Sequence, residues 1–231
     1  MEISKFYYIN LDKRPNRNEH FLNECLREGV PAEKIHRFSA IDGEMHTFTT
    51  PELKMFEKAD FINSWNGKRI MGNQLSHYYV MCDIVKNKYP VSVVSQDDAM
   101  LRNGFMEELQ NVIGNMPKNT EMLNIGQHKW ASNAIFIPWD LTNQNDHVVL
   151  AERRLNKYVC VLKESINPCS LAYIITLKGA ENMCKYFEEN GFRRATDRNF
   201  NDYTQTRGIF YGSTPVLITG NPSLPSDIFI K

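Results

Sequence analysis

The run Tyr89 to Leu101, YPVSVVSQDDAML, constrains this chain more than any other segment. A short Val-rich, β-branched stretch is a stable element of a buried sheet. It stops abruptly on two adjacent carboxylates, Asp97 and Asp98. In open α/β sheets, whatever lies just past the C-terminal end of such a strand faces a crevice. Charge placed there needs a partner, and two aspartates at a strand end are candidate ligands for a divalent cation of the kind that clamps nucleotide phosphates. The same dipeptide also reads as a solvated Asp-Asp turn, which aspartate favours through local hydrogen bonds. Both readings stay open on these two residues alone.

Around that strand, helical and strand periods alternate without internal repeats, which is α/β organisation. Phe6 to Leu11 predicts a first strand, followed by the turn DKRPNR and a helix through His20 to Glu28 that ends at Gly29. Ile35 to Ala40 predicts a second strand, and Thr50-Pro51-Glu52 opens a helix with a capping Thr. Leu75, Tyr78, Tyr79, Cys82 and Val85 recur at helical spacing within Gly72 to Val85. Further elements are expected near 104–113 (helix), 121–126, 158–162 and 171–176 (strands) and after Leu177 (helix). From Gly212 the chain is rich in Pro, Ser and Gly and is expected to be irregular.

Composition bears on function mainly by exclusion. The 231 residues suffice for one domain with a full core. With 27 basic residues cancelling 27 acidic ones there is no overall nucleic-acid footprint, although LDKRPNR is locally basic. Five scattered cysteines without a CxxC pair predict reduced thiols rather than a disulfide frame or a zinc site. No run reaches the roughly 18 apolar residues of a transmembrane span, and no apolar leader opens the chain. Together these predict a soluble, cytoplasmic protein; its oligomeric state is not legible.

Five segments in register resemble glycosyltransferase family 25, the lipooligosaccharide and collagen-type sugar transferases. They are Tyr8 to Arg17 (YINLDKRPNR), Gly72 to His77 (GNQLSH), Gln96 to Ala99 (QDDA), Ala172 to Ile175 with Lys178-Gly179-Ala180, and Ser226-Asp227-Ile228. The resemblance implies a single GT-A type Rossmann-like domain over 1–231, with a mostly parallel central sheet flanked by helices. Its nucleotide-sugar part would span about 1–126 and its acceptor side about 127–231.

What the resemblance implies chemically is an inverting transferase. It would move a hexose from a UDP-sugar to a hydroxyl of a glycan, a lipid-linked sugar or a hydroxylysine-type protein acceptor. Manganese or magnesium would be held by Asp97 and Asp98. Asn10, Leu11, Arg14, Arg17, Gly72, Ser76 and His77 would meet the nucleotide or its phosphates, where a guanidinium fork suits an anion. Asp197 is the implied base for the acceptor hydroxyl. His77 is read as lying near a helix N-terminus, with packing as the competing role. Trp65, Trp130 and Trp139 are candidates for sugar stacking, core packing being the stronger reading.

Gln96 departs from the family, which carries Glu there, and this removes one anionic ligand. No histidine follows His147, so a late histidine ligand is excluded, leaving water, phosphate or Asp227 to complete an ion's shell. A catalytically degenerate module that binds a nucleotide sugar or glycan without turnover is therefore the alternative. A metal-dependent phosphoesterase using the same carboxylates is a third reading.

Overall fold

The computed structural model describes residues 2–127, 151–162, 170–207, 210–224 and 226–228. Strand β1 (Lys5–Asn10) leads into helix α1 (Pro15–Arg27), then β2 (Ile35–Ser39), α2 (Thr50–Met55) and the long α3 (Gly67–Asn87). Next come β3 (Val91–Gln96), β4 (Ala99–Leu101), α4 (Phe105–Asn115), β5 (Met122–Asn124) and β6 (Gly126–Gln127). The C-terminal part supplies β7 (Ala151–Arg154), β8 (Val159–Leu162), β9 (Ala172–Thr176), α5 (Leu177–Asn190), α6 (Thr196–Arg207), β10 (Tyr211–Ser213) and β11 (Ile218–Gly220).

Eight strands form one sheet in the order β2-β1-β3-β9-β5-β10-β8-β7. Six share one direction and β8 and β9 oppose them, so the sheet is mixed with a dominant sense. Because β9 lies between β3 and β5, strands from both sides of residue 126 build it. Period-two alternation sends Phe6 and Tyr8 of β1 into one core and Tyr7 and Ile9 into the other. Helices α1 and α4 complete the first core with Phe21 and Phe105, whose rings flank Phe6 at 5.8 and 5.7 Å. Helices α3, α5 and α6 complete the second with Leu75, Met81, Phe187 and Phe200. Burial on both faces explains why β3 reads as a continuous apolar run. A second sheet, β4-β11-β6, flanks the first.

Several boundaries differ from the sequence reading. Thr49, not Thr50, caps α2, in a capping box with Glu52. Helix α3 begins at Gly67, because its first turn packs on the preceding loop: a Cβ at Gly67 would lie 2.6 Å from the Phe61 carbonyl oxygen. Helix α6 escapes a periodicity argument because Phe200 and Tyr203 are its only large apolar anchors. The stretch after Gly212 is not irregular throughout. Tyr211–Ser213 joins the main sheet and Ile218–Gly220 the small one, their Gly and Ser being compatible with strands closed in by neighbours.

Gly72 marks the closest approach of α3 to the loop after β2. A Cβ there would stand 2.4 Å from the Ile41 carbonyl oxygen and 2.7 Å from the Gly43 nitrogen. Backbone atoms cannot rotate aside, so overpacking of about 1–3 kcal/mol outweighs the helix-propensity gain of about 1 kcal/mol. Gly72→Ala is expected to lower Tm by several degrees in a thermal melt; an unchanged Tm would show that the loop yields freely.

Candidate functional site

The C-terminal ends of β1 and β3 lie side by side, with Ile9 opposite Gln96, and this parallel register brings Asn10 next to Asp97. Asn10 is buried and its amide is fully used. Its nitrogen donates to Asp97 Oδ2 (2.7 Å) and to the Arg14 carbonyl (3.1 Å), and its oxygen accepts from Arg37 Nε (2.8 Å). It therefore stands behind the cleft wall and ties together a carboxylate, the start of α1 and β2. Arg37, which the sequence reading did not single out, also reaches Asp12.

Helix α1 starts with its N-terminus toward the same spot and has no side-chain cap. Arg17, in its first turn, has only 6% of its side chain exposed and bridges Asp97 (3.1 Å) and Asp227 (3.3 Å). Arg14, 36% exposed, holds Asp227 through a fork of Nε (2.9 Å) and a close Nη2 contact. The Ser226-Asp227-Ile228 segment thus folds back over the cleft, and Asn66 donates to the Ile228 carbonyl at 3.4 Å. Burial pushes the Asp97 carboxyl above the ordinary carboxylate range, against the lowering influence of Asn10 and Arg17. The bond to Asp227 raises the Arg14 guanidinium further.

Asp98 differs from its neighbour. It is buried, yet its Oδ1 has no hydrogen-bond partner among the described residues. Its main-chain oxygen accepts from the Asn221 nitrogen at 2.7 Å, and Gly220 of β11 pairs with Ala99, so the C-terminal segment clamps the turn that carries it. A buried carboxylate oxygen left unpaired is costly unless something else meets it. Among the described residues no group of three or more His, Cys, Asp or Glu side chains is placed to hold a metal ion. That donor set fits a hard divalent ion only where substrate oxygens and water fill most of the shell, as magnesium sites with one or two carboxylates do.

Leu11, Arg14, Arg17, Asn73, Ser76, Gln96, Asp97, Asp98 and Asp227 line one cleft of about 180 Å³, together with Lys13, Asp42, Gly43, Arg69 and others. Lys13 pairs with Asp42 and Arg69 with Glu44, so the local basic character is largely matched by carboxylates. Ser76 accepts from the Ile41 nitrogen (2.9 Å) and donates to the Gly72 carbonyl (2.7 Å), joining α3 to the cleft loop.

His77 lies mid-helix rather than near a helix N-terminus, because α3 starts ten residues before it. It is fully buried and absent from the cleft lining, which is a packing position. Its Nδ1 is 3.0 Å from the Tyr173 hydroxyl and its Nε2 is 3.5 Å from the Gln96 amide nitrogen. That nitrogen also meets the Ser170 carbonyl (3.3 Å) and hydroxyl (3.1 Å). A carbonyl only accepts, so the Gln96 nitrogen must face it, which makes His77 Nε2 the acceptor and leaves the proton on Nδ1. Burial lowers the imidazole to about 3.

The unfolded chain therefore takes up a proton near pH 6.5 that the folded chain refuses, and stability falls as pH drops from 6.5 toward 3. Between pH 7 and pH 5 this amounts to about 2 kcal/mol. Urea denaturation at the two pH values should show that loss in the native chain and a smaller one in His77→Gln; equal losses would mean that the folded state binds the proton.

Asp197 sits in the first turn of α6, half-buried, with its carboxylate accepting from the Arg198 nitrogen at 2.8 Å. It does not line the cleft, but the adjoining Thr196 hydroxyl is 2.9 Å from the amide nitrogen of Asn73, which does. Asn73 lies within the GNQLSH segment, but its bond to Thr196 spans 123 positions and could not be read there. Trp65 is exposed with Arg69 over its ring at 5.9 Å, while Trp130 and Trp139 lie outside the described residues. No helix among the described residues is long and apolar enough to cross a membrane.

An α/β sheet whose strand ends gather carboxylates and arginines in a cleft is a common setting for phosphate-bearing substrates. Residues 3–198 match the family described as "Glycosyltransferase family 25 (LPS biosynthesis protein)". The chain belongs to glycosyltransferase family 25. It is similar to procollagen galactosyltransferase 1 of Danio rerio, 22% identical over 195 residues. That stretch is 80% of this chain but 29% of the relative, so the chain spans less than a third of that protein's length. Among solved structures it is similar to mouse xyloside xylosyltransferase 1 in its apo form, at 10% identity and a TM-score of 0.39, over 91% of this chain and 72% of the other.

Proposed function

We propose that this chain transfers a hexose, with inversion, from a UDP-sugar to a hydroxyl of a glycan, a lipid-linked sugar or a hydroxylysine-type protein acceptor, on a GT-A type arrangement. The observation that carries the reading is the buried Asp98 oxygen without a partner among the described residues, in one cleft with Arg14 and Arg17 at the start of α1. Breaking the bond between sugar C1 and the diphosphate leaves negative charge on the leaving oxygen, and positioned cations stabilise that charge as it forms. Arg14 is the half-exposed fork that a diphosphate reaches by exchanging with Asp227, and the uncapped N-terminus of α1 adds its partial positive charge. Arg17 holds Asp97 in place behind it. Asp98 would hold manganese or magnesium, which when bound supplies further charge neutralisation at the diphosphate.

The acceptor oxygen attacks C1 from the face opposite the leaving group and gives its proton to a carboxylate, for which Asp197 is the candidate on the acceptor side. The relative's name makes a galactosyl donor the first to try. The test is a screen of UDP-sugars with manganese or with chelator, reading released UDP and, with hydroxylysine peptide or glycan acceptors, the transferred sugar. Release from one donor that stops on chelation supports the reading. Gln96, its amide nitrogen tied to Ser170 and His77, favours the degenerate module as the second reading, which predicts donor binding without release.

A further inference from the structure

Two thiols that glycosyl transfer does not use face each other on the far part of α3. Cys82 of α3 and Cys184 of α5 are 102 positions apart in the chain, and their sulfurs stand 3.9 Å apart. The juxtaposition is built in by helix packing: α3 lies against α5, and Tyr78, one turn before Cys82, donates to Glu188, one turn after Cys184, at 2.9 Å. Tyr78 also touches the Cys82 sulfur. Cys82 is half-buried and Cys184 is 8% exposed. Among the described residues Cys25 and Cys160 have no hydrogen-bonded sulfur neighbour, and burial pushes their thiols up to about 12 and about 11. The hydrogen bond from Cys184 holds the Cys82 thiol below its ordinary value.

We propose that Cys82 and Cys184 are a redox modification site at which a peroxide forms a reversible disulfide that fastens α3 to α5. The Cys82 thiolate attacks one peroxide oxygen, the O–O bond breaks, and the departing hydroxide takes up a proton to leave as water, which places a sulfenic acid on Cys82. The Cys184 sulfur then attacks the Cys82 sulfur, the S–O bond breaks, and the oxygen leaves as a second water carrying the Cys184 proton. Two thiols and one peroxide thus become one disulfide and two waters. The sulfurs must close from 3.9 Å to about 2.05 Å. A dithiol reverses the bond.

The test treats the full reduced chain with a small excess of hydrogen peroxide, blocks remaining thiols with N-ethylmaleimide, and maps unreduced tryptic peptides by mass spectrometry. The expected result is an intact mass lower by about 2 Da before blocking, one linked peptide pair joining Cys82 to Cys184, and recovery of both thiols with dithiothreitol. A folded Cys82→Ser protein should lose the linked pair; if that variant does not fold, the map of the native chain decides alone. Oxygen adducts on Cys82 with Cys184 still blocked by maleimide, or linkage only through Cys25, Cys160 or Cys169, would overturn the proposal. The outcome is independent of which sugar the chain transfers.

Discussion

Asp98→Ala is expected to lower sugar transfer by about a hundredfold to a thousandfold, the range seen when one preorganised charge-stabilising group is removed, while leaving Tm unchanged or higher. The two halves of that expectation share one cause. An oxygen that is buried and unpaired in the folded chain contributes nothing to folding and carries a desolvation penalty of about 1–3 kcal/mol. Among the described residues Asp98 Oδ1 is such an atom, and the turn around it is held by main-chain bonds from Asn221 and the β4–β11 pairing, which alanine keeps. Function therefore accounts for a group that stability alone would not retain. Rates of transfer and a thermal melt on the same preparation check both parts. Full activity in Asp98→Ala would remove the cation assignment, and a large loss of Tm would show that the carboxylate has a structural partner after all.

Arg17→Ala is expected to destabilise the chain by about 3–5 kcal/mol, because it leaves two enclosed carboxylates without their shared cation. Asp97 loses its 3.1 Å partner and Asp227 loses one of two, and neither reaches water easily. Arg14→Ala provides the contrast. Its side chain is 36% exposed, so solvent screens the charge left behind and the expected cost is at most about 1 kcal/mol. Its main effect should instead be weaker binding of UDP. Urea denaturation of both variants, with UDP titration by calorimetry, separates the roles; equal stability losses would mean that burial does not distinguish the two arginines.

Much of the candidate site was legible locally. Arg14, Arg17, Asp97 and Asp98 were named from motif positions and line one cleft, and Asn10 stands directly behind it. The strand ends were readable because β1 and β3 are buried on both faces and break off at polar residues. What stayed hidden was division of labour. Sequence treats Asp97 and Asp98 as equivalents, yet one has both oxygens engaged by Asn10 and Arg17 and the other has an oxygen with no partner among the described residues. Ser76 and His77 are adjacent in a motif, but helical rotation turns Ser76 toward the cleft loop and His77 into the core against Tyr173 and Phe200. Arg37 gave no signal and Asn73 none beyond its motif, since each matters through a bond to a distant segment.

The sequence by itself determined the alternation of strands and helices, the two-faced burial of the central strands, and the placing of two carboxylates at the end of β3. These depend on side-chain period and on near neighbours, which a linear string records. Only the tertiary structure decided which charges meet. Asp227 reaches Arg14 across 213 positions, Cys82 reaches Cys184 across 102, and the Asn10–Asp97 bond exists because β1 and β3 pair in one particular register. Such pairings follow from sheet order and helix packing, where a shift of one residue would turn the same side chains to the opposite face.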